Sequence, residues 1–203
     1  MSFLKIASLS LAAVLLCMGT TTACAEQQTT QETAANADTA SLEASLDQAI
    51  ADYDKAIELG DTGNFVMFGM SPKVLAHLAA EAGEPEGSDN HAAFVDSMRA
   101  EMISTFEGVL NAVTKFEYQY DRDNLSFETT DTDLTYTRLP TVANIVLPNQ
   151  AIRSTGETIA VLDAGNWYFL NPQDAETIGW IKAAYPELQD LQIEPNKTEI
   201  VPQ

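Results

Sequence analysis

At Lys115 the hydrophobic period of this chain changes from 3.6 residues to 2, and that change limits the folds open to it. Upstream, apolar residues recur at helical spacing. Leu42, Leu46, Ile50, Tyr53 and Ile57 mark a first helix that Thr39 or Ser41 can cap and Gly60 can stop. A short apolar run, 65–68, leads to Ser71-Pro72, an N-cap followed by a first-turn proline. The second helix carries Val74, Leu75, Leu78 and Ala79 on one face and ends near Gly83. A third, over residues 90–112, has the inward stripe Phe94, Val95, Met98, Met102, Phe106, Val109 and Leu110.

Downstream, Phe116, Tyr118 and Tyr120 alternate with Lys115, Glu117 and Gln119, as in a strand with one dry face. Residues 121–124 read as a turn into a returning strand at Leu125 and Phe127, and Asp131-Thr132-Asp133 reads as another turn. The run 134–147 holds Pro140, which predicts an edge strand or two strands joined at a bulge. Strands over 152–162 and 167–170 follow, then a last helix capped from Asn171-Pro172-Gln173-Asp174, bearing Ile178, Ile181 and Tyr185 and stopped by Pro186. Helices first and an antiparallel meander afterwards predict an α+β fold, with N-terminal helices on one face of a curved sheet plus a C-terminal helix.

The ends carry different signals. Lys5, an apolar run over 6–19 and Ala23-Cys24-Ala25 predict a signal peptide over 1–25, cleaved before Glu26. The run is shorter than the about 20 apolar residues of a spanning helix. No other segment is long and apolar enough to span. Acylation at Cys24 is the competing expectation, but Thr21 stands where such sites usually want leucine. The predicted address is therefore extracytoplasmic, periplasmic or secreted. Both cysteines fall within the predicted signal, so the mature chain would have no disulfide, zinc thiolate or cysteine nucleophile. Residues 26–40 lack an apolar period and read as a disordered leader, 41–189 as a single domain, and 190–203 as an extended tail.

The net charge is −20, and loss of Lys5 with the signal would make it −21. Such a surface repels nucleic-acid backbones and anionic headgroups; solubility in a salty medium is the simplest reading. No phosphate loop, dinucleotide fingerprint or nucleophile elbow occurs.

Met70-Ser71-Pro72-Lys73-Val74-Leu75, Leu139-Pro140-Thr141 and Gly165-Asn166-Trp167-Tyr168-Phe169-Leu170 give the chain a resemblance over residues 42–170. It resembles the nuclear transport factor 2-like, cystatin-like cone superfamily, and in particular its small exported bacterial members. The resemblance implies helices and a curved sheet around a conical pocket, in a superfamily that spans isomerases, dehydratases and non-catalytic binding modules. It also implies that an open sheet can support a homodimer. The simplest pattern is met only if residues 65–70 supply an extra strand.

Chemistry-bearing residues are few. Of two histidines, His77 falls on the polar side of its helix. His91 shares a stripe with Phe94 and Met98, where it would serve either as a general acid or base or as a first-turn histidine bonded to a loop. Arg99 and Arg138 are expected to face inward, gripping an anionic ligand or pairing with internal acids. Tyr118, Tyr136 and Trp167 would line the same cavity or form simple core. Asp121, Asp123, Asp131 and Asp133 lie on two turns but lack the glycine and distal glutamate of a calcium loop, so neither metal nor cofactor is expected. The function expected is non-catalytic binding of a small molecule or protein partner. The alternative is an enzyme of hydrolase or isomerase/dehydratase type using His91.

Overall fold

The computed structural model describes residues 23–123 and 125–201. The apolar run over 6–19 and most of the expected signal peptide lie outside the described residues. The described residues divide into two units at Ala40 and Ser41.

Helix α1 spans Ala23–Leu59, so it begins upstream of the expected caps Thr39 and Ser41. The segment 26–38 is rich in alanine, glutamate and glutamine, which propagate a helix without any apolar stripe. Its far end is where the sequence put it. Gly60, at φ 66°, donates to the Ile57 carbonyl (3.1 Å) while Asp61 donates to Ala56 (2.8 Å), the paired closure of a Schellman motif. Asp61 then caps α2 (Thr62–Gly69) through Asn64 N (3.1 Å). The run near Phe65 is therefore helix, and residues 65–70 supply no strand.

Helix α3 (Pro72–Glu81) opens on Ser71, whose hydroxyl accepts from Val74 N at 3.2 Å. It closes at Gly83, φ 90°. Helix α4 spans His91–Ala112, and none of its residues is fully buried.

The strands are β1 (Lys115–Tyr120), β2 (Phe127–Thr129), β3 (Thr135–Leu147), β4 (Gln150–Asp163) and β5 (Asn166–Leu170). Helix α5 (Ala175–Ala184), a short 3-10 turn at Pro186–Leu188, and β6 (Lys197–Val201) complete the chain. All pairings are antiparallel, and the fold is α+β, helices packed with a curled half-barrel sheet.

The long hairpin β3–β4 is the spine. Each of its strands carries two short strands along its outer edge. β1 pairs with β3 from Lys115↔Val146 to Tyr120↔Thr141, and β2 continues in the same direction from Phe127↔Thr137. Residues 121–126 thus interrupt one edge strand rather than turning it back. On β4, β5 pairs over Ile159–Asp163 and β6 over Ala151–Thr155. Within the expected tail, Lys197–Val201 forms β6 and completes the sheet.

Pro140 sits where the β1–β2 edge breaks. Its carbonyl accepts from Asp121 N (2.9 Å), and the missing N–H faces that same side. A proline can therefore stand in a central strand: the donor it lacks points at the gap, not at β4. Directly across, Pro140 pairs with Glu157, where the opposite edge breaks as well.

Two apolar clusters cover the two faces of the sheet. Leu46, Ile50, Tyr53, Phe65 and Val66 pack with Leu139, Ala160, Trp167 and Phe169 on one face. Val74, Ile181, Tyr185 and Leu188 pack with Tyr136, Ile159, Val161, Tyr168 and Leu170 on the other. Consecutive residues of β4 and β5 are accordingly buried, as strands covered on both faces require.

Candidate functional site

An apolar cavity of about 370 Å³ lies among α2, α4, β1, the end of β5 and α5. The side chains that reach it follow from the two periods. Phe106, Val109 and Leu110 come from one stripe of α4, Phe116 and Tyr118 from alternate positions of β1, and Thr177, Trp180 and Ile181 from the first turns of α5. Tyr53 and Phe65 close it from α1 and α2, with rings stacked at 5.2 Å between centroids. Tyr53 also meets Tyr118 edge-on at 5.9 Å and Phe169 at 5.2 Å. Among the described residues, no aspartate, glutamate, lysine, arginine or histidine lines the cavity. The polar-bearing residues along it include Tyr53, Tyr118, Asn171, Gln173, Thr177 and Trp180.

Tyr118 is the polar centre. Its hydroxyl accepts from Asn171 Nδ2 at 3.3 Å. Burial raises the pKa of both Tyr118 and Tyr53. Beyond burial, the neighbouring phenols push Tyr53 up further, whereas Asn171 and Tyr53 beside its hydroxyl pull Tyr118 part of the way back. Both phenols stay protonated at neutral pH, so the cavity carries no charge. An ionised ligand would lose its hydration there with nothing to replace it.

Asn171 is held in turn by Asn196, which donates its Nδ2 hydrogen to Asn171 Oδ1. Asn196 Oδ1 accepts from Glu157 N at 3.1 Å, and Asn196 N donates to the Pro172 carbonyl at 2.8 Å. This asparagine pair fills the break between β5 and β6. It needs Gly156: a Cβ there would stand 1.8 Å from Asn196 Oδ1.

Of the residues singled out from sequence, Tyr118 lines the cavity and the others do not. Trp167 is buried in the cluster on the same face of the sheet, with Nε1 donating to Ser45 Oγ at 2.9 Å. Tyr136 belongs to the opposite face, where its hydroxyl donates to Glu128 Oε2 at 2.5 Å. Register explains the separation. Tyr118 pairs with Ala143, so it shares a face with the odd positions of β3, whereas Tyr136 and Arg138 are even. Arg138 forms a two-nitrogen ion pair with Glu157, its Nε at 2.8 Å, on a half-exposed flank. Arg99 pairs with Asp96 of its own helix at 3.2 Å, and its buried Nε has no partner among the described residues. His91 Nδ1 bonds the Glu84 carbonyl at 2.8 Å, in the loop before its helix. The internal polar cluster of His91, Arg99, Tyr118, Tyr136 and Arg138 is therefore not assembled.

Asn171, Asn196 and Trp180 were not legible as site residues. Asn171 and Asn196 lie in proline-containing connections that read as a cap and a tail, and nothing local marks their contact across the sheet edge. Among the described residues no helix is long and apolar enough to cross a membrane, and no group of three or more His, Cys, Asp or Glu could hold a metal ion. No protein-family description, curated protein or solved structure matches the chain.

Proposed function

We propose that this chain is an exported, non-catalytic binding domain of the nuclear transport factor 2-like, cone type, taking one small, largely apolar molecule in the cavity around Tyr118. The observation that carries this reading is the cavity itself: about 370 Å³, aromatic-lined and uncharged, with a few convergent polar groups. A concave, mostly apolar cleft of this size with a few polar groups is the usual form of a small-molecule site. Binding rather than turnover is favoured by the lining, whose titratable groups among the described residues are two tyrosines held protonated by burial. Export is supported by Lys5, the apolar run over 6–19 and the Ala23-Cys24-Ala25 ending.

The neutral fluorophore N-phenyl-1-naphthylamine tests the reading. It should bind saturably, one molecule per chain, with enhanced emission. Val109→Trp combined with Leu110→Trp fills the cavity from the solvent-facing side of α4, where Val109 is 43% exposed. The double variant should lose binding at least about tenfold while its thermal midpoint stays within a few degrees. Unchanged binding in that variant, or none in the parent protein, would remove the reading.

A further inference from the structure

Resting on the binding reading above, we infer that the occupant is a single-chain amphiphile. Its alkyl tail fills the cavity and runs out across the sheet over Ile152 and Ile200, and its head group emerges beyond β6.

Residues directly opposite one another in neighbouring strands share a face of the sheet. Phe116 stands opposite Ile145, Ile145 opposite Ile152, and Ile152 opposite Ile200. These four apolar side chains form one row across four strands. Its inner half, Phe116 and Ile145, lines the cavity. Its outer half leads away from the cavity, with Ile152 half-buried and Ile200 71% exposed. Strands lie about 4.8 Å apart, so the row continues roughly 10 Å beyond Ile145. Ile200 is therefore not a lone exposed residue but the end of an apolar strip that starts in the cavity wall.

Charge follows the same division. In this half of the sheet Lys115, Glu117, Arg153, Lys197 and Glu199 all stand on the opposite face. The face of the row carries no charged residue, even on β6, which is exposed along its length. Exposure alone gives an edge strand no reason to keep charge off one face, whereas an apolar tail lying there does. The row also sets the shape of what covers it. Along β4 the same-face neighbours of Ile152 are Gln150 and Ser154, and along β6 that of Ile200 is Thr198. Beyond Ile145 the strip is thus one side chain wide, with polar residues on its flanks. A polymethylene chain covers such a strip and leaves those groups to water, while a fused ring system would bury them unpaired. A second copy of the chain is disfavoured as the cover, because each copy carries a net charge of −20.

The probes are n-alkanols of six to fourteen carbons, displacing N-phenyl-1-naphthylamine from the purified protein. A tail lying on the strip buries about half of each methylene, so affinity should rise about twofold per added carbon along the series. Ile200→Thr keeps the β-branch at an exposed strand position, and it should weaken tetradecanol about threefold while leaving hexanol within about 1.5-fold. Ile152→Thr combined with Ile200→Thr should weaken tetradecanol about tenfold, with hexanol and the fluorophore within about twofold. Alkanols that leave the bound fluorophore in place overturn the tail inference and leave the cavity reading standing. So does a loss in Ile200→Thr that is equal for hexanol and tetradecanol, or absent for both. Sedimentation that shows a dimer which Ile200→Thr dissociates gives the strip to a second copy and overturns the inference in the same way. Failure of the fluorophore to bind the parent overturns the cavity reading, and the inference falls with it.

Discussion

Gly156→Ala should destabilise this protein, although the same change at an unconstrained position usually stabilises it. Removing a glycine lowers the entropy of the unfolded chain and is worth about 0.4–1 kcal/mol where the native backbone tolerates the new side chain. At Gly156 the added Cβ would lie 1.8 Å from Asn196 Oδ1, 2.6 Å from its Cγ and 3.1 Å from its backbone Cα. A rotamer change relieves the first two contacts but breaks the bonds to Glu157 N and Asn171 Oδ1. The third needs the backbone itself to move, and with it the Asn196 N to Pro172 carbonyl bond that leads into β6. Two half-buried hydrogen bonds at about 1 kcal/mol each, plus about 1 kcal/mol of overpacking, give a loss of about 2–4 kcal/mol. For a domain of this size that lowers the thermal midpoint by about 5–12 °C. Circular dichroism melts of three single variants and one double variant decide the matter. Gly179→Ala, in α5 with open space around its Cβ, is the control and should stabilise by about 1 kcal/mol. Asn196→Ala should cost about 2 kcal/mol in the parent but close to nothing in Gly156→Ala, because the second change removes bonds already lost. A neutral or stabilised Gly156→Ala, or additive losses in the double variant, would refute the packing of Asn196 against Gly156.

Three further outcomes can be checked. Ala164 sits at φ 49° beside Gly165 at 81° in the β4–β5 turn, both in the left-handed region. Ala164→Asn, which creates the Asn-Gly pair such turns favour, should raise stability by about 0.5–1 kcal/mol in a urea titration, and a loss would mean the turn is of another kind. All six tyrosines have raised pKa values, chiefly through burial, with Tyr136 reaching about 12. A raised phenol favours the folded state below its unfolded value near 10, and that contribution disappears as pH climbs through the folded value. Stability should fall from about pH 10 upward, and the 295 nm phenolate signal should appear together with unfolding rather than as a separate step near pH 10 with native near-ultraviolet dichroism intact. Intact mass of the protein recovered from its own host should begin at Glu26, whereas a diacylated Cys24 would replace release by anchoring.

Local rules located most of the elements. The 3.6-residue stripes of α3 and α4, the Ser71 and Asp174 caps, the stops at Gly60, Gly83 and Pro186, and the alternation of β1 are set by residues a few positions apart. Such interactions are readable because they are nearly independent of what lies across the molecule. The class followed from their order, since helices before an antiparallel meander leave few ways to bury both sets of apolar faces.

What tertiary structure decided was pairing, and through pairing, the site. Alternation says that Tyr118, Tyr136 and Arg138 each have a face, but not that the faces coincide. That depends on register, and Tyr118 opposite Ala143 sends Tyr136 to the other side of the sheet. Pro140 argued against a central strand until the neighbouring edge was seen to break beside it. The tail gave no sign of joining the sheet, because β6 is exposed along its length and gains its place from β4 and from Asn196. The directed chain from Glu157 through Asn196 and Asn171 to Tyr118 joins residues 39, 25 and 53 positions apart. Contacts of that separation leave no period and no motif in a single sequence, so the polar centre of the cavity became legible only once the sheet edges had brought them together.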